Sequence, residues 1–211
     1  MKKKSMVFLL IAVFLTIFIS IKVAVHSSFW MDAFIAGLFS HVPAAAIPFF
    51  IEVTELGDKK GIGVVALIML VWLLLKKRNY PGAAMLALSI ALANETYKLL
   101  KDVFVRPRPD LEHLIKVESY SYPSGHAMVG MVVYFTIAYL LIEASQSKLS
   151  KWIIALLAAI ILLFIGASRI ILQVHYPSDV IGGYALGFIW AAIWIFFYHS
   201  FKQLYIKKRP S

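Results

Sequence analysis

The sequence predicts an all-α membrane protein, a bundle of six transmembrane helices with a further interfacial helix on the extracytoplasmic side. Of its 211 residues, 61% are hydrophobic, and the mean hydropathy is +0.82. A soluble domain of this length is closer to half apolar. The excess lies in long apolar runs, and no extended hydrophilic region is left to form a second domain. We therefore expect residues 1–211 to form a single integral membrane domain.

Six apolar runs define the predicted spans. A helix needs about 20 apolar residues to cross the hydrocarbon core of a bilayer. The second run is shorter, so we expect it to be tilted or to begin earlier, near Leu56. In chain order the runs cover residues 6–25, about 61–75, 82–100, about 127–142, 152–167 and about 180–198.

The first run follows lysines at residues 2–4 and in this respect resembles a secretory signal peptide. Its apolar stretch is long for a signal core, and residues 22–26 lack a small-x-small cleavage pattern. We therefore interpret this run as an uncleaved membrane anchor.

The formal net charge of +10 raises nucleic-acid binding as the first alternative. The basic residues argue against it, because they form short clusters at the ends of apolar runs and no continuous stripe. These clusters occupy residues 2–4, 76–78, 148 with 151, and 202 with 207–209. By the positive-inside rule, the clusters and both termini are cytoplasmic. Residues 26–60, 102–123 and 169–179 are then extracytoplasmic.

Residues 26–60 contain more than a simple loop. Apolar side chains recur there at helix-like spacing, which predicts an interfacial amphipathic helix, although an aromatic belt alone would explain the same residues. They are Phe29, Trp30, Phe34, Ile35, Leu38 and Phe39. The charged residues that follow either line the rim of a site or form a solvated turn, and a short charge run favours the turn. They are Glu52, Glu55, Asp58, Lys59 and Lys60.

The first of three groups of polar residues follows the third predicted span. Lys101 ends that span, and Arg108 follows after six residues. Pro107 and Pro109 prevent a continuing helix and favour an extended turn, which would bring the two cations onto one anion. Lys98 and Arg106 compete for the same roles, and snorkelling to the interface is the alternative explanation.

The second group is Pro123-Ser124-Gly125-His126, directly before an apolar run. Ser124 is a natural helix N-cap, Gly125 allows close approach of a ligand to the backbone, and free N–H groups at a helix start favour an anion. His126 would then face that anion and donate a proton to a leaving oxygen. A capped helix with an interfacial histidine is the simpler alternative.

The third group joins Ser168-Arg169 to His175 and Asp179. Pro177 suits the first turn of a new helix. The spacing of four residues lets the Asp179 carboxylate accept a hydrogen bond from one nitrogen of His175, which leaves the other nitrogen free to attack phosphorus. Arg169 can clamp phosphate oxygens. Asp179 could instead serve only as a favourable charge at a helix N-terminus.

Metal and thiol chemistry are the remaining alternatives. The chain has no cysteine, which excludes disulfides, thiolate catalysis and Cys-based metal sites. His126, His175 and Asp179 are possible ligands, but the three nearby cations would repel a dication. We expect neither a metal nor a cofactor.

Together the three groups resemble the motifs of the type 2 phosphatidic acid phosphatase superfamily, also called lipid phosphate phosphatases. That pattern reads Lys-x6-Arg-Pro, Pro-Ser-Gly-His and Ser-Arg-x5-His-x3-Asp, and this chain matches it without departure at Lys101 to Pro109, Pro123 to His126 and Ser168 to Asp179. The resemblance selects Lys101 and Arg108 over Lys98 and Arg106.

The resemblance also implies a metal-independent mechanism. In it, His175 is the nucleophile that forms a phosphohistidine, Asp179 orients it, and His126 protonates the leaving lipid oxygen and then assists water. The phosphate would be held by the following residues: Lys101, Arg108, Ser124, Gly125 and Arg169. The residues alone did not decide which histidine attacks.

A membrane site of this kind predicts a lipid phosphate as the substrate, and the resemblance points to undecaprenyl pyrophosphate or phosphatidylglycerophosphate. Phosphatidic acid and diacylglycerol pyrophosphate remain open. Three other functions use the same pocket: a lipid phosphotransferase, a membrane protein that binds anionic lipid without cleaving it, and a vanadate-dependent haloperoxidase. The last has largely soluble relatives, which disfavours it for a chain with six predicted spans.

Overall fold

The computed structural model describes residues 3–25, 29–39 and 41–207, and the regular structure in these ranges is helical. The helices are α1 (Lys3–Ala24), α2 (Trp30–Phe39), α3 (Ile47–Glu55), α4 (Lys59–Val71), α5 (Tyr80–Phe104), α6 (Gly125–Ala144), α7 (Lys148–Ile171) and α8 (Pro177–Lys207). A short 3-10 turn (Ala44–Ala46) precedes α3, and a π-helical turn (Trp72–Lys76) extends α4. The predicted all-α class is confirmed.

Within the described residues, four helical segments are long and apolar enough to cross a membrane. They are Met6–Ala24, Gly125–Ala144, Lys148–Ile171 and Pro177–Gln203. A fifth span results if Trp30–Phe39 and Ala44–Glu55, bent by 91°, count as one. Length and composition thus support four or five spans rather than the predicted six. The shortfall arises because α4 has 13 residues and α5 carries charged residues along its last three turns.

Helix α6 lies at the centre of the bundle and packs against α5, α7 and α8. Its side chains Val132 and Val133 are completely buried. Close approach of α8 depends on Gly183, because a Cβ atom there would lie 2.8 Å from the Ser124 carbonyl oxygen. The carbonyl oxygen of Met128 approaches Gly187 in the same way. The start of α6 is therefore fixed against the first turns of α8.

Helix α1 packs along α8 and reaches the loop that precedes α6. Ile19 and Val23 form an apolar cluster with Phe29 and Tyr122, and the Ser20 and Tyr122 hydroxyl oxygens are 2.9 Å apart. The loop before the second motif group is thus anchored to the first span.

Helix α2 confirms the predicted helix in residues 26–60, and its polar and apolar faces are arranged as a lipid-facing helix requires. Trp30, Phe34 and Leu38 are mostly exposed, whereas Asp32 is buried. Such a helix turns its apolar side chains outward, where acyl chains would contact them. Its position at the membrane interface stays a prediction, and His26 lies outside the described residues.

All three motif groups lie at one end of the bundle. The loops of residues 105–124 and 172–176 join helix ends on that side. Helix α6 extends from there for 20 residues, about 30 Å at 1.5 Å per residue. At its far end Glu143 pairs with Lys202 at 2.9 Å, and Lys77 and Arg78 line a cavity beside them. The motif groups and these basic clusters therefore occupy opposite ends of the bundle. The basic residues 2 and 208–209 lie outside the described residues.

Candidate active site

Lys101 and Arg108 converge on the same short stretch of loop. Helix α5 ends at Phe104, its C-cap residue Val105 adopts a left-handed conformation with φ 49°, and residues 106–109 have no regular secondary structure. Lys101 Nζ donates to Ser119 Oγ at 3.1 Å and to the Tyr120 carbonyl oxygen. Arg108 Nε donates to the Ser119 carbonyl oxygen at 2.7 Å. The proline-containing turn therefore brings both cations to one place.

The two competing cations have other partners. Lys98 pairs with Glu95 at 2.6 Å on the exposed surface of α5. Arg106 pairs with Asp32 at 2.9 Å and with Asp179 at 2.5 Å, and it does not line the cavity that Lys101 and Arg108 line. Neither side chain is placed to hold an anion beside Lys101.

The second motif group forms the start of α6. Ser124 occupies the N-cap position, but its hydroxyl makes no capping hydrogen bond; it is completely buried and has no hydrogen-bond partner among the described residues. Gly125 packs on the ring of Tyr97, which a Cβ atom would approach to 2.9 Å. The ring of His126 packs against Gly57 in the turn between α3 and α4.

His175 lies in the loop between α7 and α8, and Pro177 starts α8 as predicted. Nδ1 of His175 is 3.4 Å from Oδ2 of Asp179, and Nε2 of His175 is 3.5 Å from Nη1 of Arg108. Burial, and then the charges of Arg169, Arg108 and Lys101, lower the pKa of His175 well below the ordinary value of 6.5. These surroundings favour the neutral imidazole, with one nitrogen toward a carboxylate and the other toward a cation.

Arg169 is the third cation and is 3% exposed at the end of α7. Its Nη1 donates to Thr54 Oγ1 of α3 at 2.6 Å, while Nε is buried without a hydrogen-bond partner in the described part of the chain. Buried N–H groups are normally paired, so an unpaired guanidinium nitrogen indicates a place that an acceptor would fill.

A cavity of about 660 Å³ joins these groups. Six of the predicted site residues line it: Lys101, Arg108, Gly125, His126, Arg169 and His175. Ser124 and Asp179 do not line the cavity, although Asp179 lies beside His175, 3.4 Å from its Nδ1. The cavity continues along apolar side chains of α4, α5 and α6, namely Ile62, Ala66, Ile90 and Val129. It therefore combines a cationic end with an apolar channel.

The charged segment before α4 also borders this cavity. Glu55, Asp58 and Lys59 line it, with Lys116 and Glu118 from the loop before α6. Glu55, Asp58 and Lys59 thus lie where the alternative prediction of a rim places them, while Glu55 and Lys59 are also exposed beside a turn, as the favoured prediction has it. The reason is that the turn between α3 and α4 packs on His126 and Ile165 through Gly57.

Comparisons with known proteins identify the family of this chain. A sequence model of the PAP2 superfamily matches residues 82–203. The chain belongs to the PAP2 superfamily. It is 33% identical over 139 residues to phosphatidylglycerophosphatase B of Bacillus subtilis (strain 168), covering 65% of this chain and 68% of that protein. It is 32% identical over 121 residues to undecaprenyl-diphosphatase of Sulfolobus acidocaldarius, covering 54% of each.

Solved structures extend the likeness to most of the chain. The crystal structure of a transmembrane PAP2-type phosphatidylglycerolphosphate phosphatase from Bacillus subtilis matches with a TM-score of 0.79 and 26% identity, covering 90% of this chain and 96% of that one. Aquifex aeolicus LpxE matches with a TM-score of 0.63 and 21% identity, covering 80% and 96%, and shows the fold alone. The protein is a membrane-bound lipid phosphatase, a hydrolase of the PAP2 superfamily.

Several residues of this PAP2 site were missed by sequence reasoning. Ser121 donates to Asp179 Oδ2 and lies 3.4 Å from Nδ1 of His175. Ser119 contacts Lys101, Thr54 contacts Arg169, and Asp32 contacts Arg106. Serine in a loop carries no distinctive pattern, and the partners of Thr54 and Asp32 lie far away in sequence. Only the clustering of Ser119 and Ser121 just before the second motif was available as a signal.

A resident metal has no evident place among the described residues. No three His, Asp or Glu side chains there are grouped so that they could hold an ion. The predicted absence of a metal stays a prediction, and the experiment that tests it is given below.

Proposed function

We propose that this PAP2 protein hydrolyses a lipid phosphate or pyrophosphate through a phosphohistidine on His175, without a metal ion. The arrangement of His175 carries the proposal. Its Nδ1 faces the Asp179 carboxylate, and its Nε2 faces a cavity that Lys101, Arg108 and Arg169 make cationic.

The first half-reaction transfers the phosphoryl group to the protein. Lys101, Arg108 and Arg169 hold the phosphate oxygens with the N–H of Gly125, since all four residues line the cavity. The role proposed for the Ser124 hydroxyl requires this buried group to turn toward the cavity. The Nε2 lone pair of His175 attacks phosphorus, the bond from phosphorus to the lipid oxygen breaks, and that oxygen takes a proton from His126. Asp179 accepts the Nδ1–H of His175 and stabilises the positive charge that develops on the imidazole.

The second half-reaction releases phosphate. His126, now neutral, takes a proton from a water molecule, and the resulting oxygen nucleophile attacks the phosphohistidine. The P–N bond breaks, its electrons return to Nε2, and inorganic phosphate leaves. His175 is thereby restored to its starting state.

The shape of the cavity and the names of the relatives support a lipid substrate. A phosphate group fills only part of a 660 Å³ cavity, and the apolar channel along α4, α5 and α6 suits the lipid portion. Undecaprenyl pyrophosphate and phosphatidylglycerophosphate are the two substrates we propose, since relatives at similar identity are named for these two activities. A broad lipid phosphatase that accepts both is the form we favour.

We also propose six spans, with both termini cytoplasmic and the active site extracytoplasmic in the cell membrane. Residues 59–76 form an uninterrupted helical segment, and α5 is 25 residues long, so both have the length of a span. The basic ends lie opposite the site, as the positive-inside rule requires. Because the chain has no cysteine, a single Cys gives a clean labelling signal. Glu118→Cys should react with an impermeant maleimide in intact cells and Lys148→Cys only after permeabilisation; the reverse pattern would invert the proposed topology.

The decisive experiment measures inorganic phosphate released from purified lipid phosphates in detergent. Wild type is compared with His175→Ala and, as a matched control, Lys98→Ala, which removes a cation outside the site. We expect the control to be active and His175→Ala to retain its fold but lose turnover. Activity that survives in His175→Ala contradicts the nucleophile, and phosphate transfer only to an added acceptor alcohol identifies a phosphotransferase.

Two additions to the same assay test the chemistry. Vanadate, which mimics the pentacoordinate phosphoryl centre, should inhibit, and EDTA should leave the rate unchanged. Loss of activity on chelation that zinc or magnesium restores would overturn the metal-free mechanism. Binding of lipid phosphate with no release by wild type would indicate a protein that binds anionic lipid without cleaving it.

A further inference from the structure

The two carboxylate oxygens of Asp179 have different partners. Oδ2 accepts from the N–H of Tyr176 at 2.9 Å and from the hydroxyl of Ser121, and it lies 3.4 Å from Nδ1 of His175. Oδ1 accepts from Nη1 of Arg106 at 2.5 Å. Asp179 is completely buried, and an ionised carboxylate at that depth requires a cation or strong donors beside it. Arg106 is the cation that contacts it.

Arg106 is itself held on three sides. Nη2 donates to Oδ2 of Asp32 at 2.9 Å, Nη1 donates to Ser178 Oγ at 2.8 Å, and the guanidinium carbon lies 4.1 Å from the centroid of the Tyr176 ring. A planar guanidinium fixed in this way has little freedom to rotate. It therefore transmits a defined orientation to the Asp179 carboxylate.

Asp32 connects this arrangement to α2. Its carboxylate accepts from the backbone N–H of Ser178 at 2.7 Å and from the Ser178 hydroxyl at 2.7 Å, and the residue is 7% exposed. Ser178 stands beside Asp179 in the first turn of α8. Helix α2 is thus bonded to the turn that carries the proposed partner of the nucleophile, through residues that do not line the phosphate cavity.

We infer that Arg106, held by Asp32, is a positioning residue that fixes the Asp179 carboxylate with Oδ2 toward Nδ1 of His175. The inference rests on the proposed function, because it concerns how the nucleophile is oriented. Without the guanidinium, the carboxylate loses the partner of Oδ1 and can turn away from the imidazole.

A double-mutant cycle tests this inference. Arg106→Gln, Asp179→Asn and the double variant are compared with wild type, with Lys98→Gln as the control for loss of a cation on the protein surface. We expect Arg106→Gln to lower kcat by roughly 10- to 100-fold, as outer hydrogen-bond partners do at metal sites, with KM close to wild type because the phosphate-holding cations are intact. In the Asp179→Asn background the same change should have little further effect. Arg106→Lys should recover part of the loss.

The possible outcomes separate the inference from the proposed function. Activity in His175→Ala contradicts the function itself. If His175→Ala is inactive but Arg106→Gln is as active as wild type, the positioning role alone is overturned. The same holds if the rate losses of Arg106→Gln and Asp179→Asn simply multiply in the double variant. Residual rates are followed with a radiolabelled lipid phosphate above the His175→Ala background. Should Arg106→Gln fail to fold, Asp32→Asn replaces it in the cycle with Asp179→Asn. A small further loss of kcat in the double variant supports the positioning role, and losses of kcat that multiply refute it.

Discussion

Arg169 should limit the stability of the ligand-free protein, because the site keeps a buried charge ready for a phosphate. Its Nε–H has no partner among the described residues, and an unpaired buried donor costs about 1–3 kcal/mol. Arg169→Met replaces the guanidinium with an apolar side chain that fills much of the same space, which removes both the unpaired donor and the cost of burying a charge. Loss of the hydrogen bond to Thr54 reduces this gain in stability by about 1 kcal/mol.

We therefore expect Arg169→Met to raise the stability of the ligand-free protein by about 1–2 kcal/mol, which corresponds to a Tm increase of about 2–8 °C for a chain of this size. Vanadate at 100 times its Kd should stabilise wild type by about 2.7 kcal/mol and the variant hardly at all. Thermal unfolding in detergent at one fixed scan rate, with and without vanadate, measures both. Lys98→Met is the matched control and should keep the vanadate shift. A ligand-free variant that is less stable than wild type, with a full vanadate shift, would refute the reasoning.

Two further predictions concern the cavity wall and the pH dependence. Gly125→Ala places a Cβ atom 2.9 Å from the Tyr97 ring, so the ring must move and the phosphate end of the cavity must narrow. We expect a raised KM and a lowered kcat/KM in the phosphate-release assay. Gly37→Ala, where a Cβ atom meets nothing within 4 Å and which does not line the cavity, should match wild type, and equal kinetics for the two variants would contradict the cavity assignment. Because burial and neighbouring cations lower the pKa of His175, the neutral imidazole persists in mild acid, and the acidic limb of kcat/KM should lie below pH 6.5. Arg108→Gln removes one of these cations and should raise the pKa of His175, so the acidic limb of the pH–rate profile should move to higher pH. An acidic limb that stays in place or moves to lower pH would count against His175 as the titrating group.

The sequence alone predicted those features of the fold and of the site that depend on residues close together in the chain. Pro177 placed the start of α8, and the spacing of His175 and Asp179 placed a carboxylate beside one imidazole nitrogen. The prolines after α5 predicted the turn that brings Lys101 and Arg108 onto the same loop. Long apolar runs likewise predicted the all-helical class. In each case the residues that decide the geometry lie within about two helical turns of each other.

The remainder depends on contacts between distant segments, which no local pattern encodes. Asp32 and Arg106 are 74 residues apart, and Thr54 and Arg169 are 115 apart, so nothing near either residue indicates its partner. Ser124 occupies the N-cap position as predicted, but its hydroxyl makes no capping hydrogen bond, which no local pattern indicates. The number of spans is ambiguous for a related reason. Helix α5 buries Ser89 and Lys101 and carries further charged residues along its last three turns, so hydropathy alone scores it as too polar to cross.

The most direct measurement of the central claim is to trap the covalent intermediate. Wild type and His126→Ala are mixed with a lipid phosphate labelled in its phosphoryl group, quenched within one turnover at alkaline pH, and mapped by peptide mass spectrometry. We expect a phosphoryl group on His175 in wild type and none in His175→Ala. In His126→Ala the group should form more slowly, because the leaving oxygen lacks its acid, and should also be removed more slowly, because the water lacks its base. A label on another residue, or continued phosphate release with no labelled protein at any time, would contradict the account.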